Sequence, residues 1–131
     1  MIVYTISIVW EGKMEIKIFD SELKVMELIW EKEPISAKEL SVLAEEKYCW
    51  NKNTTYTVIK KIESKGYISR TEPGFICKSL VSKKEVCNSE TKGLIDRLFG
   101  GSKKALFSAL IEDESITKEE LEELKKLIDK K

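Results

Sequence analysis

The chain has 131 residues, of which 42% are apolar and 35% charged, and its formal net charge is zero. This length and apolar content suit one compact domain, or a small domain with an assembly segment, and argue against a disordered chain. The sequence contains no histidine, which excludes histidine general acid–base catalysis and histidine-ligated zinc. We therefore expect no catalytic residues, no metal site and no cofactor, and we predict that the protein is not an enzyme.

The three cysteines are Cys49, Cys77 and Cys87, an odd number without a C-x-x-C pair. They indicate reduced thiols rather than a disulfide framework. The apolar start, residues 1–10, is about half the ~20 residues that a membrane-spanning helix needs, and it lacks the basic region and cleavage site of a signal peptide. We expect a cytoplasmic protein without membrane insertion.

Charge is distributed unevenly along the chain. Residues 20–46 contain three lysines and eight carboxylates, a net charge of −5. Residues 47–81 contain six lysines and one arginine against two glutamates, a net charge of +5, whereas residues 82–131 contain eleven charges of each sign. Because local charge, rather than the total, decides phosphate binding, the segment 47–81 is compatible with nucleic-acid binding.

Residues 1–17 form an uncertain N-terminal extension with two open interpretations. Their alternating, β-branched residues favour an added edge strand. Alternatively, Met14 is the native start, because the preceding residues 10–13 can be encoded by a purine-rich run that resembles a ribosome-binding site.

Two amphipathic helices are predicted next. The first begins at an N-cap formed by Asp20 and ends before Pro34. The second opens at a capping box, with Ser36 at the N-cap and Glu39 three residues later, and runs to about Tyr48. The first helix is predicted to bury Leu23, Met26, Ile29 and Trp30 and to expose Glu22, Lys24, Glu27 and Glu31, and the second to bury Ala37, Leu40, Leu43 and Ala44.

The residues from Trp50 to Gly66 form a predicted third helix with two different faces. Gly66 stands where a helix C-cap requires a positive φ, so it predicts the end of the helix. A face with lysines, hydroxyls and an amide but no carboxylate suits a DNA groove, and a plain solvated amphipathic helix is the alternative. The apolar stripe is Thr55, Val58, Ile59 and Ile62, the outward face is Asn53, Thr57, Lys60 and Ser64, and the flanks are Tyr56 and Lys61.

A β-hairpin is predicted after the third helix. Two β-prone runs, residues 67–72 and 75–81, flank Pro73-Gly74, which suits a type II turn. Three helices and a hairpin make a winged helix, whose third helix is the recognition helix of a helix-turn-helix. Arg70 and Lys78 on the strands can reach phosphates, or they are ordinary exposed strand charges.

Residues 82–131 are predicted to form further amphipathic helices. Ser82, Ser102 and Thr117 are expected N-caps, and Gly100-Gly101 is a helix break. About 50 residues are too few for an independent core, so the leucine-rich faces favour a homodimer, with packing against the first domain as the alternative. The predicted dimerisation residues are Leu98, Phe99, Leu106, Phe107, Leu110, Ile111, Leu121, Leu124, Leu127 and Ile128.

The predicted fold is therefore mainly α with a small β-hairpin. We expect a winged helix-turn-helix domain at residues 18–81, followed by a helical dimerisation segment at residues 82–131. Sequence-specific DNA binding is the leading function, and a winged-helix module for protein–protein assembly is the alternative.

The stretches LKVMELIWEKEPISAKEL, NTTYTVIKKIESKGYISR and LFGGSKKALFSALIEDESITKEELEELKKLI resemble the penicillinase-repressor family. This family contains winged-helix repressors of β-lactamase and methicillin-resistance operons, with copper-responsive relatives. The similarity runs from about Ile18 to Lys130. It implies a symmetric dimer that places each third helix in a major groove of a dyad operator in double-stranded DNA.

The resemblance also implies DNA contacts by Thr54, Thr57 and Lys61. Lys61 replaces a frequent arginine, which keeps the charge but loses the bidentate geometry, and Tyr56 stands where some members have arginine. The full set of predicted DNA-binding residues is Asn53, Thr54, Tyr56, Thr57, Lys60, Lys61, Arg70 and Lys78.

The inducing signal stays open. In the best-known members a membrane-bound sensor metalloprotease triggers cleavage at an Asn–Phe bond in the dimerisation segment, but no such bond occurs near residues 108–110. The copper-responsive branch uses a cysteine-rich motif near the C-terminus, whereas no cysteine follows Cys87. We therefore expect neither cleavage with that specificity nor copper sensing. Regulation by a membrane-bound sensor protease of another specificity is an open alternative.

Overall fold

The computed structural model describes residues 16–131, so the predicted edge strand and the Met14 start lie outside the described residues. The chain divides into two compact units, the first ending at Glu90 and the second comprising Thr91–Lys131. In chain order the elements are α1 (Asp20–Lys32), β1 (Ile35–Ser36), α2 (Ala37–Tyr48), α3 (Lys52–Ser64), β2 (Ile68–Thr71), β3 (Ile76–Ser79), α4 (Lys83–Phe99), α5 (Lys103–Glu112) and α6 (Lys118–Asp129).

Helices α2 and α3 form the predicted helix-turn-helix. Residues at their termini explain where α2 ends and where α3 begins and ends. Cys49 ends α2 in the left-handed region, with φ at 59°. Asn51 begins α3, because its Oδ1 accepts the N–H of Thr54 at 2.8 Å. Gly66, with φ at 82°, follows the last turn of α3 as predicted.

The wing is a three-stranded antiparallel sheet in the order β1-β3-β2. Strands β2 and β3 form the predicted hairpin, so the winged-helix fold is confirmed. The four-residue turn of the hairpin contains Gly74 at φ 98°, a conformation that favours glycine, and also Phe75 at φ 50°. Strand β1, which pairs Ile35 with Cys77, was not predicted because a two-residue strand has no periodicity to detect.

The core of the first unit lies where α1, α2, α3 and the wing meet. The predicted apolar stripe of α3 is buried, and the first turns of α4 also contribute, because Val86 is buried. The indole N–H of Trp30 donates to the C=O of Val81 at 2.9 Å and thereby attaches α1 to the end of the wing. The largest fully buried side chains are Met26, Ile29, Leu40, Ile59, Ile62, Glu22, Val25, Val81, Thr55 and Cys77.

The start of α1 differs from the prediction in two respects. Phe19, not Asp20, occupies the N-cap position, and its N–H donates to the Glu22 carboxylate at 2.9 Å. Glu22 was predicted to face solvent, but it is only 1% exposed. The prediction was wrong because it followed polarity: at helical spacing Glu22 lies on the same face as Val25 and Met26, which are buried.

The buried carboxylate of Glu22 is paired with Lys65, which follows the last residue of α3. The Lys65 ammonium lies 2.7 Å from Glu22 Oε1 and donates to the C=O of Lys17 at 3.3 Å. The Tyr67 hydroxyl accepts the N–H of Lys17 at 3.0 Å and donates to its C=O at 2.9 Å. Because an unpaired buried charge is costly, this cluster fixes the end of α3 against the start of α1.

The second unit consists of the end of α4 together with α5 and α6. Gly100 and Gly101, with φ at 56° and 84°, form the predicted break. Ser102 and Thr117 are N-caps as predicted, since their hydroxyls accept backbone N–H groups at 3.0 Å and 3.1 Å. None of the helices formed by residues 16–131 combines the length and apolar composition that a bilayer span requires.

Replacement of Lys65 by methionine should lower the free energy of unfolding by about 3 kcal/mol, because it leaves the Glu22 carboxylate buried without its cation. The substitution Glu22→Gln keeps an acceptor for the Phe19 N–H and should cost less, about 1–2 kcal/mol. Urea unfolding followed by circular dichroism measures both changes. Lys38→Met, at an exposed position of α2, is the control, and equal effects of Lys65→Met and Lys38→Met would contradict the assigned role.

Candidate nucleic-acid interface

One face of α3 brings together five of the predicted DNA-binding residues. Its opposite face is the buried apolar stripe, so the helix presents this polar face to solvent. The first turn of α3 contains no acidic residue, so the positive end of the helix dipole is not neutralised there. The exposed residues, called here the recognition face, are Asn53, Thr54, Thr57, Lys60 and Lys61.

The polar groups of the recognition face differ in how they are held. The Thr57 hydroxyl donates to the C=O of Asn53 at 2.8 Å, which leaves its oxygen lone pairs to accept hydrogen bonds. Lys60 and Lys61 form no salt bridge to any other described residue. The two ammonium groups are therefore available to phosphates, while the threonines and the asparagine can meet base edges.

Tyr56 lies at the border between α3 and the wing rather than on the recognition face. Its side chain is half-buried, and its ring meets the Phe75 ring edge-on, with centroids 6.1 Å apart and an interplanar angle of 80°. The Lys52 ammonium lies 5.7 Å from the centroid of the Tyr56 ring. The sequence correctly placed Tyr56 on a flank of the helix, but it did not indicate the wing contact.

Arg70 and Lys78 are both on the wing, and the structure does not bring them together. Arg70 is paired with Cys77 in the sheet, whereas Lys78 is paired with Ser69, so the two cations lie on opposite faces. Arg70 forms ion pairs with Glu72 and, at 3.8 Å, with Glu63. Lys78 is exposed and forms no salt bridge to a described residue.

Several cations near the start of α3 were missed by sequence reasoning. Lys52, the first residue of α3, is exposed and lies within the basic segment, which was a usable signal. The ammonium groups of Lys24 and Lys47 lie 5.2 Å and 5.7 Å from the centroid of the Tyr48 ring. Lys24 belongs to the acidic stretch of the sequence, so no local pattern could have placed it beside the helix-turn-helix.

The predicted dimerisation residues all lie on the three C-terminal helices and are poorly covered within a single chain. Phe99, Leu106, Leu121 and Leu124 are partly buried. The other six are between 44% and 65% exposed, and they are Leu98, Phe107, Leu110, Ile111, Leu127 and Ile128.

The cysteines occupy three different environments. Cys77 is buried in β3, whereas Cys49 and Cys87 are exposed. Burial raises the pKa of the Cys77 thiol to about 11, and the nearby Glu63 carboxylate adds to this shift. Within residues 16–131, no group of three or more cysteine, aspartate or glutamate side chains could hold a metal ion.

The sequence of the chain matches known repressors over most of its length. The family profile described as "Penicillinase repressor" matches residues 18–130. The chain belongs to the penicillinase repressor family. Methicillin resistance regulatory protein MecI of Staphylococcus aureus (strain N315) is 28% identical over 117 residues, which cover 88% of this chain and 95% of the relative. The penicillinase repressor of Staphylococcus aureus is 26% identical over 116 residues, which cover 87% and 92%.

A solved structure shares the fold of this penicillinase repressor family member. The solution structure of the DNA binding domain of the repressor BlaI superimposes with a TM-score of 0.51 at 24% identity, covering 56% of this chain and 92% of that chain. The family assignment confirms the resemblance noted in the sequence. It also agrees with the expectation that the protein is not an enzyme, because the family is one of repressors.

Lys60→Ala and Lys61→Ala should each weaken binding to every duplex tested, whatever its sequence. Each should also reduce the slope of log Kobs against log salt concentration by about 0.9, because one phosphate contact is lost. Fluorescence anisotropy titrations at several salt concentrations measure both quantities. Lys126→Ala in α6 removes an exposed lysine outside the recognition face and is the control. Unchanged slopes for both α3 variants would count against the assigned face.

Cys77 should resist alkylation in the folded protein. Since its pKa is raised to about 11, only about one thiol in a thousand is ionised near pH 8, and the thiolate is the reactive form. Iodoacetamide should therefore modify the exposed Cys49 well before Cys77, and peptide mass spectrometry distinguishes them. Unfolding in urea should remove the difference, and equal rates in the folded protein would contradict the burial of Cys77.

Proposed function

We propose that this protein is a cytoplasmic transcriptional repressor that binds a dyad operator in double-stranded DNA as a homodimer. The observation that carries the proposal is the recognition face of α3, an exposed surface of lysines, threonines and an asparagine without a carboxylate. A family of repressors provides the context in which this surface acts. The names of the relatives, a methicillin resistance regulatory protein and a penicillinase repressor, suggest a β-lactamase or antibiotic-response operon as the target.

The lysines of the recognition face have a different role in DNA binding from its threonines and asparagine. Lys60 and Lys61 neutralise phosphates, so they supply affinity for any sequence and make binding sensitive to salt. Asn53, Thr54 and Thr57 have the hydrogen-bonding groups and methyl groups that distinguish base edges in a major groove. An arginine is absent from α3, so the bidentate reading of guanine by arginine is not available on this helix.

The homodimer is supported by the apolar surface of the second unit. Within Thr91–Lys131 the exposed leucines, isoleucines and phenylalanine belong to three consecutive amphipathic helices. Monomeric proteins seldom leave such surface in water, because its burial against a partner is favourable. A second copy with twofold symmetry would cover equivalent faces and place two recognition helices on two half-sites of a palindrome.

The proposal is tested with the intergenic DNA upstream of the protein's own gene, labelled for fluorescence anisotropy and compared with a scrambled duplex of equal length. We expect selective binding, at least tenfold tighter for the upstream duplex, with a stoichiometry of two chains per operator. Equal and weak binding to both duplexes would remove the support for an autoregulated repressor and favour a protein–protein assembly role.

A matched pair of variants separates dimerisation from DNA contact. Ile128→Glu places a charge on the exposed apolar face of α6 and should give a monomer by light scattering, with weaker binding to the full dyad. Lys126→Glu, on the charged side of the same helix, should remain a dimer. If the wild-type protein is a monomer by light scattering, the homodimer is refuted. The anisotropy titration then shows whether a single winged helix binds DNA.

A further inference from the structure

The tip of the wing contacts the recognition helix through a ladder of aromatic and cationic side chains. The Phe75 ring contacts both the Tyr56 ring and the Arg70 guanidinium, whose Cζ is 3.5 Å from the Phe75 centroid. The Lys52 ammonium, 5.7 Å from the centroid of the Tyr56 ring, adds a further cation to the ladder. Edge-on aromatic pairs and guanidinium–ring stacking are both favourable, so the ladder joins α3 to the wing.

The backbone of Phe75 is held by two hydrogen bonds. Its N–H donates to the Glu72 carboxylate at 3.0 Å, and its C=O accepts the N–H of Ala37 at 2.9 Å. Its φ of 50° is unusual for a large side chain, and these hydrogen bonds hold it in that conformation. The ring is therefore presented to Tyr56 and Arg70 from a well-defined position.

The charge of Arg70 is already compensated within the protein. Its Nε–H donates to the Glu72 carboxylate, and its Nη1 lies 3.8 Å from the carboxylate of Glu63 at the end of α3. Hydrogen bonds from the Phe75 N–H and from Arg70 lower the pKa of Glu72, so this carboxylate is ionised at neutral pH. A cation between two carboxylates adds little to the field that attracts phosphates.

We infer that Tyr56, Phe75 and Arg70 form a clamp that sets the angle of the wing against the recognition helix, so that Tyr56 and Arg70 are positioning residues rather than DNA contacts. This inference rests on the proposed function, since the angle matters only if both elements meet DNA. It gives Tyr56 and Arg70 a role different from the DNA contact predicted from sequence. The ring of Tyr56, and not its hydroxyl, is the part that acts.

Conservative substitutions at Tyr56 separate the two roles by titration on the operator duplex. Tyr56→Phe keeps the ring and should change the affinity less than twofold, whereas Tyr56→Leu should weaken binding about three- to tenfold. Arg70→Gln should leave the salt slope unchanged, because the lost charge was not on a phosphate. An equal loss in Tyr56→Phe and Tyr56→Leu, or a slope reduced by about one in Arg70→Gln, would overturn the inference.

Nuclear magnetic resonance tests the clamp without DNA. The Arg70 side-chain protons should be shifted upfield by the Phe75 ring current and should return toward ordinary values in Phe75→Leu, with circular dichroism confirming that the variant is folded. Ordinary Arg70 shifts in the wild-type protein would overturn the clamp even if DNA binding is selective. If the wild-type protein shows the upfield shifts but does not bind the operator duplex selectively, the proposed function is refuted. The clamp then stays a structural feature of the wing.

Discussion

The placement of the recognition helix depends on the buried carboxylate of Glu22. It accepts a hydrogen bond from the N–H of Phe19, the N-cap of α1, at 2.9 Å and one from the ammonium of Lys65, just after α3, at 2.7 Å. Because a buried charge is tolerated only with such partners, α3 cannot shift along α1 without breaking the pair. The apolar stripe of α3 supplies most of the burial, which is non-directional, whereas this ion pair specifies one position for the helix.

The wing is held to the helices at its base and at its tip by polar contacts of the same directional kind. At the base, the Glu33 carboxylate accepts the N–H of Ser79 at 2.7 Å and its hydroxyl at 2.9 Å. At the tip, Phe75 bonds to the start of α2 through its C=O. The helix-turn-helix and the wing therefore form one surface, and a DNA duplex would meet both in a fixed relation.

The charges of this protein are distributed unevenly along the chain, although its formal net charge is zero. The basic segment 47–81 contains two carboxylates, Glu63 and Glu72, and both face Arg70. They compensate the wing arginine and leave the lysines of α3 without acidic partners among the described residues. The exposed lysines of the segment, including Lys60 and Lys61 on the recognition face, therefore supply its positive field, whereas Arg70 contributes little to it.

The sequence by itself determined the features that depend on neighbours within about one helical turn. Hydroxyls at Ser36, Ser102 and Thr117 cap their helices through groups three residues away, and the periodicity of α3 indicated its buried face. Only the tertiary structure decided the burial of Glu22, whose cation lies 43 residues further along the chain. The pairing of β1 and the edge-on contact of Tyr56 with Phe75 were decided in the same way, because partners distant in sequence leave no periodic signal.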